Sequence, residues 1–205
     1  LSKIKGFKIL GVFDVVIEKA ALLSKKFNVP LFNNLKDLLL VCDAISICTP
    51  ASKHYDIAKI ALQNNCHLFI EKPITNNLES AQKIIDTNYN KNKIIHIGHI
   101  ERYNSAYTNY LINSKNPLFI ESHRLSPFNI RGLDVPVVLD LMIHDIDLIL
   151  NIVKKDIFSI HATGACIVSD FVDLCSARIK FKGGCVANIT ASRVSNKQMR
   201  KFKKI

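Results

Sequence analysis

His67-Leu68-Phe69-Ile70-Glu71-Lys72-Pro73 decides the fold: four residues fit for a buried strand run directly into a charged loop closed by proline. A short apolar run bounded by a breaker suits a strand covered on both faces, as in parallel sheets with crossover helices. The same texture continues on both sides. Ile9–Phe13 and Ala44–Cys48 read as strands before it, and Lys93–Ile97 as a strand after it. Between them Ile17–Phe27, Asn34–Val41, Lys53–Asn64 and Leu78–Tyr89 carry helical periodicity. Strands alternating with helices predict an α/β, Rossmann-like parallel sheet.

In such sheets ligands bind beyond the carboxyl ends of the strands. Three candidates fall there: Asp14, Thr49-Pro50 and Glu71-Lys72-Pro73. An acidic residue at the Asp14 position accepts hydrogen bonds from ribose hydroxyls and repels a 2′-phosphate, and Val15-Val16 offers no arginine to hold one. NAD is therefore favoured over NADP, although an Asp after a strand also serves as a turn former. The seven glycines contain no Gly-x-Gly-x-x-Gly spacing, the loop that brings backbone amides to a pyrophosphate. The chain is accordingly expected to begin after the first strand of its sheet.

Past Gly98 the texture changes. A helix reaching Ile112, a strand over Pro117–His123, a polar loop over Leu125–Val135 and a long helix over Val137–Val153 come first. Consecutive strands then follow at Phe158–Val168, Asp173–Phe181 and Cys185–Ala191, with Lys182-Gly183-Gly184 as a hairpin turn. Strands without intervening helices predict a mostly antiparallel sheet. The reading is thus two domains: a partial dinucleotide-binding domain over 1–97 and an α+β substrate domain over 98–205, incomplete at its C-terminal end.

The long helix carries Asp140-Leu141-Met142-Ile143-His144-Asp145-Ile146-Asp147. Residues four apart on a helix share a face, so Asp140 and His144 are expected side by side, with Lys72 brought to them by the fold. A histidine with an ordinary pKa titrates near working pH and suits a general base. Each residue also has a plainer reading. His144 fits a hydrogen-bonded core position, Lys72 a solvated loop, and Asp147 a surface ion pair.

Composition bounds the function classes. The 205 residues are 48% hydrophobic, enough for a substantial core. No apolar run approaches the roughly 20 residues that span a bilayer, and no secretory signal opens the chain. No membrane association and a cytoplasmic location are expected. The six scattered cysteines, none in a Cys-x-x-Cys pair and most in apolar runs, read as structural thiols over disulfides or a metal site. The net charge of +11 is spread among asparagines and reads as background rather than a nucleic-acid surface. Residues 197–205, with five positive charges, read as a solvated terminus or a phosphate contact.

Taken together, Asp14, Thr49-Pro50 with His54, Glu71-Lys72-Pro73, Gly98-His99 with Arg102-Tyr103-Asn104, and Asp140 with His144 and Asp147 resemble the oxidoreductases related to glucose-fructose oxidoreductase, inositol dehydrogenase and MocA. The resemblance covers essentially the whole chain. Glu121-Ser122-His123-Arg124 and Ala187–Arg193 look most like members acting on UDP-sugars. It implies hydride transfer between a secondary alcohol of a sugar or UDP-sugar and NAD. In that reading Lys72, His144 and Asp140 are catalytic. Asp14, Thr49, Pro50, His54, Glu71, Lys72, Pro73 and Arg102 contact the cofactor, while Arg124 and Arg131 join Lys72, Asp140 and His144 at the substrate. No resident metal is implied, and a homo-oligomer paired through the C-terminal sheet is.

Several alternatives stay open. Arg102 and His99 could link the two halves, and Arg124 and Arg131 could be loop ion pairs. A metal enzyme could use His96 and His99 with Asp140 and His144, although residues three apart on a strand point to opposite faces. A non-catalytic nucleotide-binding or assembly module is the remaining reading.

Overall fold

The computed structural model describes residues 4–89, 92–112, 117–130 and 133–205. Its first sheet holds three parallel strands in the order β1 (Ala44–Ile47), β2 (His67–Ile70) and β3 (Ile95–Ile97). The crossovers are α3 (Ala51–Gln63) and α4 (Leu78–Asn88), and α1 (Ile17–Phe27) and α2 (Leu35–Val41) precede β1. Local chemistry sets these helix ends. Asn34 and Asn77 accept hydrogen bonds from the amides of Asp37 and Ser80 to start α2 and α4, and Asn28, in left-handed conformation, stops α1. Leu68 and Ile70 of β2 are buried with Ile47, Ala58, Ala61, Leu62 and Ile84, so the strand of the opening motif lies in the core.

The second sheet has five strands in the order β5 (Ile157–Ala165), β6 (Leu174–Phe181), β7 (Val186–Ser192), β4 (Phe119–Leu125) and β8 (Met199–Lys204). Only the β4–β7 pair is parallel. Strand β6 alternates strictly, with Cys175, Ala177, Ile179 and Phe181 turned inward. With Ile120 of β4 and Ala187, Ile189 and Ala191 of β7 they pack against Ile149 and Val153 of α6 (Ile143–Val153). A 3-10 turn over Ile100–Tyr103 and the helix α5 (Ser105–Ile112) join the two parts.

Three expectations are corrected. Ile9–Phe13 is not a strand of the first sheet: Val12 forms one isolated parallel bridge with Leu31, because residues 30–32 are the only backbone partners of this segment among the described residues. The basic C-terminal stretch is not a solvated tail but the edge strand β8, antiparallel to β4, with Phe202 packed on the core. One apolar side chain among lysines hides a strand from periodicity, while lysine on an edge is a common guard against further pairing. The long helix is not uniform either. Val138–Met142 form a π-helical turn before α6 begins.

Candidate active site

The carboxyl ends of β1 and β2 deliver Thr49-Pro50 and Glu71-Lys72-Pro73 to one side of the sheet. His54 of α3 is buried there, with Nδ1 2.8 Å from the Pro73 carbonyl and Nε2 2.9 Å from the Thr49 carbonyl. It ties the two loops together. Gly98, after β3, lets the Glu71 carboxylate approach: a Cβ at that position would stand 3.2 Å from Glu71 Oε2. The Asp14 carboxylate accepts the Val16 amide at 2.8 Å, the turn-forming contact, and leads the chain into α1.

Lys72 crosses to the second part of the molecule. Its Nζ donates to the Asp140 carbonyl at 2.6 Å and to Asp140 Oδ1 at 2.9 Å, with about a fifth of each side chain exposed. Asp140 lies in the π turn. An extra residue per turn shifts side chains from ordinary helical spacing, and such turns recur at functional sites. Lys72 is brought to Asp140 as expected, and its charge also acts on His144. His144 Nδ1 is buried with no hydrogen-bond partner. Burial, and then the positive charges of Arg124 and Lys72, push the His144 imidazole down to about 4 against the opposing pull of Glu101 and Asp145. The expected near-neutral base is instead a ring that stays uncharged at neutral pH.

Other cationic candidates are engaged within the protein. Arg124 is buried, donating from Nε to Asp145 Oδ2 at 2.7 Å and from Nη1 to Glu101 Oε1 at 3.2 Å. Arg102 is held bidentate by Asp147, with Nε 2.7 Å from Oδ2. These two ion-pair sets fasten the 3-10 turn to α6, just behind His144. Burial lowers the pKa of His99, although Asp147 stands 4.0 Å from its Nδ1. Arg131 lies outside the described residues. Among the described residues no three His, Cys, Asp or Glu side chains converge to hold a metal, and His96 is stacked on Phe69.

Sequence reading missed the role of Asp134, whose Oδ2 accepts the Ala51 amide at 3.0 Å, and the pairing of the buried Asp173 and Arg193 with each other and with Ser169. Asp173 is fully buried; burial alone would raise its pKa, but hydrogen bonds from Ser169, the Val168 and Ile167 amides and Arg193 outweigh it and hold the carboxyl well below the usual range. Only the acid–base identity of these residues was available in the sequence; their pairing is long-range.

Residues 1–99 match the family model "Oxidoreductase family, NAD-binding Rossmann fold", and residues 96–203 match "GFO/IDH/MocA C-terminal domain". A UDP-N-acetylglucosamine 3-dehydrogenase of Acidithiobacillus ferrooxidans is 36% identical over 198 residues, covering 96% of this chain and 63% of that protein. A crystal structure of that dehydrogenase superposes with a TM-score of 0.89 at 35% identity, covering 96% of this chain and 65% of the other. An inositol 2-dehydrogenase of Salmonella typhimurium is 24% identical over 166 residues, covering 76% of this chain and 49% of that protein. The scyllo-inositol dehydrogenase of Lactobacillus casei, solved with bound NAD(H) and scyllo-inositol, shares the fold with a TM-score of 0.85 at 21% identity, covering 99% of this chain and 67% of the other. The chain spans less than two thirds of the length of the dehydrogenase from Acidithiobacillus and about half that of the inositol enzyme.

Proposed function

The chain belongs to the Gfo/Idh/MocA family of oxidoreductases, and from that premise we propose that it serves NAD-dependent oxidation or reduction of a secondary hydroxyl on a sugar or sugar nucleotide. The observation that carries the reading is Lys72, at the carboxyl end of β2, donating to the backbone carbonyl and to Oδ1 of Asp140, with a half-buried His144 near by whose pKa burial lowers to about 4. The residues present fit a dinucleotide: Glu71 seated against Gly98, Thr49-Pro50 fixed by His54, and the Asp14 carboxylate after its extended segment. NAD, when bound, supplies the hydride acceptor.

The protein's own groups handle the proton and the oxygen. The Lys72 ammonium donates a hydrogen bond to the substrate hydroxyl and stabilises negative charge as it develops on that oxygen. His144 is neutral and accepts the hydroxyl proton at Nε2, since Nδ1 is closed off by packing. Asp140 orients Lys72. We assign the dinucleotide to residues 1–97 and the sugar to residues 98–205. A UDP-sugar is favoured over an inositol as the substrate class because the UDP-sugar relative is the more similar one. Six free thiols fit a cytoplasmic protein, and copies are expected to pair through the face of the second sheet bearing Ser176, Arg178 and Lys180. Light scattering checks the pairing; a monomer at micromolar concentration would exclude it.

The test is NADH formation with a panel of UDP-sugars, free sugars and inositols, alongside NADH fluorescence titration of the same chain. Reduction of NAD with at least one UDP-sugar is expected. NADH binding without turnover on any member would leave the binding-module alternative standing instead.

His144 also gives a pH prediction. Its folded pKa of about 4 lies below the ordinary value of 6.5, so the unfolded chain takes up a proton first as pH falls. Its contribution to stability is therefore fully present above about pH 6.5 and lost progressively towards pH 4. Urea midpoints should fall between pH 7 and pH 5, and His144→Gln should flatten that fall. The rate profile should show no acid limb near 6.5; such a limb would contradict a His144 kept neutral by its surroundings.

A further inference from the structure

We propose that Asp134 is a positioning residue that caps helix α3 from the segment leading to the second sheet and so clamps the Thr49-Pro50 loop to the same segment that bears Asp140. The inference rests on the dinucleotide reading above and names how the two halves of that site are held together. Helix α3 has thirteen residues, yet Pro50 at its N-cap gives no side-chain bond and its first turn contains no acidic residue. An uncapped helix start leaves backbone amides without partners and a partial positive charge without a counterpart. Asp134, 83 residues away in sequence, supplies both through its Oδ2 on the Ala51 amide.

The arm that carries Asp134 is braced from behind. The Val135 carbonyl accepts Arg193 Nη1 at 2.9 Å, and Arg193 Nε is held by the fully buried Asp173 at 2.8 Å. The Val137 amide donates to the Val172 carbonyl at 2.8 Å. Asp134 is thus presented on a segment anchored to the second sheet, and the bond to Ala51 joins two pre-set surfaces. Three residues past Val137 the same segment makes its second crossing contact, Asp140 to Lys72. His54 passes the constraint from Thr49 to Pro73, so both loops at the strand ends are referenced to one arm. Clamping in advance removes the ordering cost that a loose loop would add to binding.

The test compares Asp134→Ala and Asp134→Asn in the full chain by amide hydrogen exchange and NADH titration. Asn keeps an acceptor oxygen and loses the charge, so it separates the hydrogen bond from the electrostatics. In Asp134→Ala the Ala51 amide should exchange at least about tenfold faster, while the Ser80 amide, capped by Asn77 within its own helix, stays unchanged. NADH should bind at least about threefold more weakly to Asp134→Ala, and Asp134→Asn should recover most of both losses. Unchanged exchange at Ala51 would overturn the clamp. Faster exchange with unchanged NADH affinity would reduce Asp134 to a helix cap and overturn its positioning role. If the wild-type chain binds no NADH, the dinucleotide reading fails, and the clamp is then judged on exchange alone.

Discussion

Lys72→Met is expected to lower the rate of hydride transfer by about 100- to 1,000-fold, the scale on which loss of a single donor to a developing oxyanion is felt. Methionine keeps an unbranched stem of the same reach up to Cε and removes the ammonium, so the packing of the stem is preserved. NADH affinity should change by less than about threefold, since an interaction made to the reacting oxygen counts in the transition state more than in the cofactor complex. Asp140→Asn should be milder. The Asp140 carbonyl, 2.6 Å from Nζ, remains to hold the ammonium after the carboxylate charge is gone. Single-turnover rates at saturating cofactor, measured for both variants, separate chemistry from binding. A Lys72→Met enzyme retaining more than about a tenth of the wild-type rate would remove Lys72 from the chemistry, and a milder Lys72 than Asp140 variant would reverse their roles.

The parallel layer was legible because its evidence is local. Apolar runs such as His67–Ile70 and breakers at Pro50 and Pro73 each act within a few residues. Lys72 at a strand end was legible for the same reason. What periodicity could not show depends on partners distant in sequence. Phe202 makes β8 a strand only because β4 lies alongside, and Asp134 caps α3 from 83 residues away. Arginine was the least readable residue type. Arg124 sits in a stretch that resembles a substrate contact, yet it is buried between Asp145 and Glu101. Its guanidinium makes the same charge-assisted bonds to carboxylates inside the protein as it would to a diphosphate, so residue type alone does not separate the two uses.

Arg193→Leu is expected to lower the thermal unfolding midpoint by about 10 °C, from the cost of stranding one member of a buried ion pair and the usual sensitivity of a chain this size. Asp173 is fully buried and Arg193 is 3% exposed. The Asp173 carboxylate also accepts the amides of Ile167, Val168 and Ser169 and the Ser169 hydroxyl, so it is the hub on which residues 166–173 turn. Removing the guanidinium leaves that carboxylate without its counter-charge in a place water does not reach. Because the folded Asp173 is held below the usual carboxylate range, its contribution is present above about pH 4 and fades as pH falls further; Arg193→Leu should weaken this acid sensitivity. Lys182→Ala provides the contrast. Its partner Asp156 and Lys182 itself are 77% and 65% exposed, a pair whose loss should leave the midpoint within about 1 °C. The two substitutions each delete one cation of one ion pair, so differential scanning fluorimetry compares burial with exposure directly. Equal shifts would show that the Asp173 cluster is not a structural hub. A large shift confined to Arg193→Leu, accompanied by faster exchange at the Ala51 amide, would show that the same cluster also braces the arm on which Asp134 and Asp140 reach Ala51 and Lys72.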